Sequence, residues 1–245
     1  MNKEFNIYKE YTSTSMLMGL NERELTLWSI GYFSVNIGPH LPRNRNARIL
    51  DIGCGYGRNL LALKQMGYEN TQGIDISEEQ VDYAQKHLGL SNVELGDAVA
   101  MLESAQQAEY DVILLLDVLE HLELDYSIKL LKAIRVALKP GGIFVIQVPN
   151  GIAPLSPNFY SDVTHLRAYT SKSMEQHLRL GGFSEMKHFE LPPHAHGVAS
   201  FLRRILWFTI FKPIISFYML VANSNLMGGI YTINMLTVSH RNIGL

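Results

Sequence analysis

The stretch Leu50-Asp51-Ile52-Gly53-Cys54-Gly55-Tyr56-Gly57-Arg58-Asn59-Leu60 decides the fold. A short apolar run, RILDIG, ends in an acid, and three glycines follow at alternate positions. Glycine tolerates positive φ and lets a ligand come close to the backbone at a helix start. The pattern therefore reads as a strand, a ligand-facing loop and a helix that Gly67 closes.

Moving outward, the alternation repeats. NTQGIDIS reads as a second strand, and EEQVDYAQKHLG as a helix capped by Ser77 and stopped by Gly89. NVELGD is a third strand, and the continuously apolar YDVILLLDVL a fourth, buried on both faces. Tyr126 to Leu138 is a helix ended by KPGG, GIFVIQVPN a fifth strand, SEMKHFEL a sixth, and GIYTINMLTVSHR holds the last. Strands alternating with helices imply right-handed crossovers and a mostly parallel sheet. Such sheets bind ligands beyond the carboxyl ends of their strands. Asp51, Asp75, Asp97 and Asp117 all stand at such ends, as do Pro149 and Asn150.

Composition narrows the class. The 245 residues suit one generous α/β domain, and a net charge of -2 offers no field for a polyanion, so nucleic acid is not an expected partner. The single cysteine, Cys54, excludes an internal disulfide and a Cys-rich zinc site, and it reads as a small apolar residue packed under the loop. MNKEFNIYKEYTSTS has no apolar signal region, so a cytoplasmic protein is expected.

The glycine spacing separates two ligand classes. Dinucleotide sites use G-x-G-x-x-G around a pyrophosphate. Here the spacing is Gly53-x-Gly55-x-Gly57 with Asp51 ahead of it. A carboxylate there repels a pyrophosphate and suits an amino-acid ammonium.

With LDIGCGYG, GIDIS, LGDA, LLLDVLEHL and LKPGG in that order, the chain resembles the class I S-adenosylmethionine-dependent methyltransferases over about residues 45–190. The resemblance implies a Rossmann-like three-layer sandwich: a seven-stranded, mostly parallel sheet with an antiparallel last strand, N-terminal helices, and here an apolar helical insertion before that strand. The expected organisation is a helical cap over 1–46, a core over 47–190, an insertion over 191–229, and the last strand over 230–245. The resemblance puts Asp51, Gly53, Cys54, Gly55 and Gly57 around the methionine moiety of the donor. It puts Asp75 on the ribose hydroxyls, Ile76 on the adenine face, Asp97 and Ala98 at the adenine edge, and Asp117 with Val118 along the methionine wall. Each acid alone has a plain structural reading, as a helix cap or a turn residue. S-adenosylhomocysteine would be the product.

Asp117-Val118-Leu119-Glu120-His121 stands where enzymes that methylate amide or base nitrogens carry an Asn-Pro-Pro-Tyr-like piece, and it is similar to that of small-molecule O-methyltransferases. An oxygen acceptor calls for a general base. His165 and His121 are the candidates, with Asp162 either an acid partner for His165 or a cap for the helix from Ser171. His194 and His196 form an incomplete ligand set, so no metal is expected. Tyr8 and Tyr11 are candidates for closing over the cofactor.

VASFLRRILWFTIFKPIISFYMLVA is long enough for a membrane span, but Lys212-Pro213 interrupts it, and strands six and seven have to share one sheet. The open readings are an apolar helical hairpin lying on the inner face of a membrane, a homodimer interface over 198–222, or a lid over an apolar substrate. The tail resembles bacterial methyltransferases of surface-glycan and lipopolysaccharide biosynthesis, which implies a hydroxyl of a sugar or glycan precursor as acceptor. The alternatives are a quinone-like hydroxylated ring, an NAD-dependent oxidoreductase, and a catalytically silent scaffold subunit.

Overall fold

The computed structural model describes residues 22–104, 107–192 and 197–242. Tyr8, Tyr11, His194 and His196 lie outside the described residues. Seven strands form one sheet: β1 Ile49–Ile52, β2 Thr71–Asp75, β3 Val93–Leu95, β4 Tyr110–Leu116, β5 Leu138–Pro149, β6 Met186–Glu190 and β7 Asn234–His240. Their order is β3-β2-β1-β4-β5-β7-β6, with β1 to β5 parallel and β7 antiparallel to both β5 and β6. This is the Rossmann-like arrangement the glycine stretch implied.

The helices are α1 Glu22–Asn36, α2 Arg58–Gln65, α3 Glu78–Lys86, α4 Ala98–Ser104, α5 Leu124–Ala137, the short α6 Pro157–Tyr160, α7 Ser171–Leu180 and α8 Val198–Asn223. One turn of α8, Trp207–Phe211, is π-helical, and the helix runs on through Lys212-Pro213 where a break, and hence a hairpin, was expected; the proline stands just after the widened turn, which accommodates its missing amide.

The two-residue period of a strand sorts the core into two layers. Along β4, Ile113 and Leu115 join α4, α5 and α7 on one face, while Val112, Leu114 and Leu116 join α1, α2 and α3 on the other. Continuous hydrophobicity in YDVILLL thus reflects burial on both faces, each leucine contributing about 1.5–3 kcal/mol. The same parity governs β1. Leu50 and Ile52 face the α5 side, so Asp51 shares the face of Ile49 and points toward α2.

One boundary departs from expectation. KPGG does not separate helix from strand. It lies inside β5, where Leu138 pairs with Tyr110 and Ile143 with Val112, so the intervening residues form a large bulge. Gly141 supplies its positive φ of 75°, and Lys139 pins the bulge to Asp111 at 2.7 Å.

Strand order reverses between β1's two neighbours, β2 and β4, which opens a crevice at their carboxyl ends. The long connection from β6 to β7 carries α8, and Lys212 within it bonds Glu190 at the end of β6 at 2.6 Å.

Candidate functional site

A cavity of about 360 Å³ fills the crevice, lined by the loop after β1, the tips of β2 and β4 and the turn before α4. Its walls bring together Gly53, Cys54, Gly55, Asp75, Ile76, Asp97, Ala98, Asp117, Val118 and His121.

The loop has to be bare. Gly53 has φ +68°, and a Cβ there would lie 2.4 Å from Val118 Cγ2; Gly55 has φ +56°, and a Cβ there would lie 2.5 Å from Gln80 Oε1. Gly57, not on the cavity wall, is the left-handed N-cap of α2. Cys54 is buried beneath the loop, its Sγ in the space a Cβ on Gly73 would need, and burial pushes its thiol pKa up.

Asp75 accepts the Gly55 amide at 2.7 Å and the Ser77 amide at 2.8 Å. Burial lifts its pKa, and these two amides pull it back. Each carboxylate oxygen keeps a further lone pair for a hydroxyl donor. Beside it, Ile76 is 55% exposed, an apolar platform on a cavity wall. Asp97 accepts the Ala100 amide at 2.8 Å, capping α4, and the Tyr126 hydroxyl at 2.7 Å. Burial pushes its carboxyl up, but these two donors outweigh it and carry it below the usual value. Tyr126 also lines the cavity; sequence reading assigned it to a helix and missed it.

Asp51 stands off the cavity wall. It is 1% exposed and takes a hydrogen bond from Asn59 Nδ2 at 3.2 Å. Burial pushes its pKa up to about 7.

A second cavity of about 410 Å³ adjoins the first, and both share Arg58, Asn59, Leu116 and Asp117. Its other walls include Tyr32 and Phe33 of α1, Gln147 of β5, Asn158 of α6, Leu191, and Trp207 of α8. A polar chain crosses it. Tyr32 donates to Gln147 Oε1 at 2.8 Å, and Gln147 Nε2 donates to both oxygens of Asp117 at 2.9 and 3.0 Å. Arg58 lies 3.6 Å from Asp117. Asp117 itself adopts φ +57°, a left-handed conformation costing about 1–2 kcal/mol in an L residue. Gln147 was detectable as the one polar residue within the apolar run FVIQVP.

The loop after β5 carries the histidine network. His121 Nδ1 contacts Thr164 Oγ1 at 2.7 Å, and Thr164 Oγ1 donates to Asp162 at 2.6 Å. Since the threonine proton goes to Asp162, His121 donates through Nδ1, and its Nε2 holds the lone pair. Burial, with help from His165, lowers the His121 pKa to about 4. Asp162 thus reaches His121 through Thr164, and the helix from Ser171 is capped by Thr170 in a reciprocal box with Ser173, not by Asp162. His165 is on neither cavity wall. Its Nδ1 donates to the Phe159 carbonyl at 2.8 Å, and its Nε2 lies 3.9 Å from Glu120 Oε1.

Glu120 is fully buried, and neither carboxylate oxygen has a hydrogen-bond partner among the described residues. Burial holds its pKa well above the usual range, and Asp117 adds to the rise. One ligand atom each from Glu120, His121 and His165 come within 4.8 Å of one another. Sequence reading expected no metal and did not see this trio; it can hold a proton on Glu120 or offer a carboxylate and two imidazoles to a divalent cation.

The first cavity fits an adenosyl sulfonium donor on its own chemistry: a glycine cradle whose left-handed backbone disfavours any side chain, a buried carboxylate at the β2 tip, and an exposed apolar platform beside it.

A family model described as a methyltransferase domain matches residues 35–188. The chain is 30% identical over 143 residues to a ubiquinone biosynthesis O-methyltransferase of Idiomarina loihiensis, an overlap covering 57% of each chain. It spans about half the length of the curated relatives it matches. Among solved structures it is similar to a SAM-dependent methyltransferase from Archaeoglobus fulgidus, with TM-score 0.64, 24% identity, and coverage of 90% of this chain and 95% of that one. It is also similar to phosphoethanolamine N-methyltransferase 2 of Haemonchus contortus in complex with S-adenosyl-L-methionine, with TM-score 0.56, 19% identity, and coverage of 89% and 52%. At these identities the two structures attest the fold.

Proposed function

The chain belongs to the methyltransferase-domain family, and from that premise we propose that it moves a methyl group from S-adenosylmethionine to a hydroxyl of a small hydroxylated ring. The observation that carries this reading is the pair of cavities that meet at Asp117. One is built of bare backbone and strand-tip acids, as a nucleoside donor needs. The other mixes aromatic and apolar walls (Phe33, Leu191, Trp207) with polar ones (Gln147, Asn158, Asn234), as a flat, partly polar acceptor needs.

When bound, the donor supplies an activated methyl group on a sulfonium. The chain supplies alignment and a place for the proton. Asp75 holds hydroxyls, Ile76 packs on a flat apolar face, and the Gly53–Gly57 loop admits close approach. His121, which lines the first cavity and follows Asp117 by four residues, would take the acceptor's proton where the two cavities meet. A pKa near 4 makes it a weak base, which suffices because a hydroxyl oxygen gaining a methyl group becomes strongly acidic. His165 packs edge-on against its ring, with ring centroids 4.5 Å apart. His165 is thus a positioning residue, and the base role expected of it passes to His121.

The tail suggested a sugar or glycan acceptor, whereas the curated relatives reported above are named for ubiquinone biosynthesis. That supports the hydroxylated ring. The test is a turnover assay with S-adenosylmethionine against catechol-like rings and nucleotide sugars, read by mass spectrometry. A methylated ring product supports the reading; a methylated sugar with inert rings overturns the acceptor class.

A further inference from the structure

We propose that α8 lies in the plane of an anionic membrane surface, and that the acceptor enters the second cavity from that lipid phase past Trp207. The second half of this statement rests on the methyl-transfer reading; the first does not.

By length and composition α8 is able to cross a membrane, and none of its most apolar stretch is buried. Its exposed apolar residues, among them Phe201, Leu206, Phe211, Ile214 and Phe217, do not keep to one stripe. At 100° per residue they point around most of the helix circumference. In the first half they stand opposite Arg203 and Arg204, and beyond the π-helical turn they move round the helix, a wider spread than the single face a flat dimer interface covers and one that suits immersion in lipid.

The tethers exclude a span. Lys212, mid-helix, bonds Glu190 at the end of β6, and Glu190 also accepts the Tyr231 amide just before β7 at 3.2 Å. The Tyr231 hydroxyl in turn donates to the Leu226 carbonyl at 2.7 Å. The middle of α8 and the chain just beyond its end are therefore fixed to the same edge of the sheet. A 26-residue helix is about 39 Å long. Standing across a bilayer, it would drag Glu190 and the sheet edge into the hydrocarbon. Lying flat, it immerses its apolar side and keeps the sheet in water.

Charge selects the kind of surface. Residues 191–245 contain no Asp or Glu, while α8 carries Arg203, Arg204 and Lys212. Lys212 is taken up by Glu190; the Arg204 guanidinium lies 5.8 Å from the centroid of the Phe208 ring, at the polar–apolar border of the helix. Cations above an apolar face suit anionic headgroups. Trp207 connects this surface to the site. It lines the second cavity, and its buried Nε1–H has no hydrogen-bond partner among the described residues, leaving a donor for an occupant's polar atom. The α6 loop that supplies Asn158 to the same cavity also presents Leu155 and Val163, which are 93% and 92% exposed.

The test is co-sedimentation of the full chain with phosphatidylcholine vesicles and with vesicles also containing phosphatidylglycerol. Binding to the mixed vesicles should be about tenfold tighter or more, at roughly 1 kcal/mol per arginine. Arg203→Glu with Arg204→Glu should abolish that preference, and Phe201→Ser with Phe217→Ser should abolish binding to both, with melting temperatures unchanged. A protein that stays in the supernatant with both vesicles overturns the proposal. So does a stable dimer that ignores vesicles and that Phe201→Ser with Phe217→Ser splits into monomers, or binding that resists alkaline carbonate as a span would. Donor binding by calorimetry in the same samples separates this outcome from failure of the methyl-transfer reading.

Discussion

The glycine loop and α8 stand at opposite extremes of the chain, one bare backbone closed in by its neighbours, the other a run of large apolar side chains left uncovered. Around Gly53 and Gly55 every spare atom is excluded: an added methyl would meet Val118 or Gln80 at about 2.4–2.5 Å. Along α8 the domain is met mainly at Trp207 and Lys212, and only Ser200 is buried. A region that is tight in isolation has its specification inside the chain. A region that is apolar and uncovered has part of its specification outside, in whatever it touches.

That contrast is sharpest in substitutions. Gly55→Val forces a branched side chain into left-handed backbone against Gln80, and donor affinity should fall about 100-fold or more in calorimetry. Retained affinity would mean the loop is not the cradle. His121→Ala should lower kcat about 100-fold with donor affinity intact, and in the wild type the acid limb of the kcat profile should fall near pH 4, below the ordinary histidine range. A limb near 6.5 would shift the role to another group. Asp75→Asn removes the charge that hydroxyls bond to and should weaken the donor about tenfold or more.

Smaller effects test stability. The Asp51 pKa is raised from 3.8 to about 7 on folding, so the folded state binds the proton more tightly. Its contribution is fully present below about pH 4 and is lost as pH rises to about 7. Asp51→Asn should flatten that part of the stability curve in denaturant titrations; an unchanged slope would assign it to other groups. At the far end of the scale, Phe217→Ser on α8 should change unfolding free energy by no more than about 0.5 kcal/mol. A large loss would mean α8 packs on the domain and would erase the contrast.

Much of this was legible. The order of strands and helices, the crevice, and the strand-end places of Asp75 and Asp97 followed from period and from strand ends, because backbone demands leave few residue choices there; Ile76 came from the resemblance alone. Asp51 was harder: its place at a strand end pointed to the crevice, but the two-residue alternation of β1 turns it to the opposite face, under Asn59. KPGG read as a stop because proline and glycine punctuate chains, yet paired glycines serve a bulge equally well. Of the histidine network the members His121, His165 and Asp162 were legible, but not their pairing. Asp162 and His165 are close in sequence, but Thr164 intervenes, and the partner it selects, His121, is 43 residues away. The second cavity draws on α1, β5, α6 and α8 at once, which no local pattern encodes.

The most direct measurement is a crystal structure of the chain grown with S-adenosylhomocysteine. The account predicts the ligand along Gly53 and Gly55, its ribose on Asp75 and its adenine between Ile76 and Asp97. A ligand seated elsewhere, with that crevice filled by solvent, would contradict it.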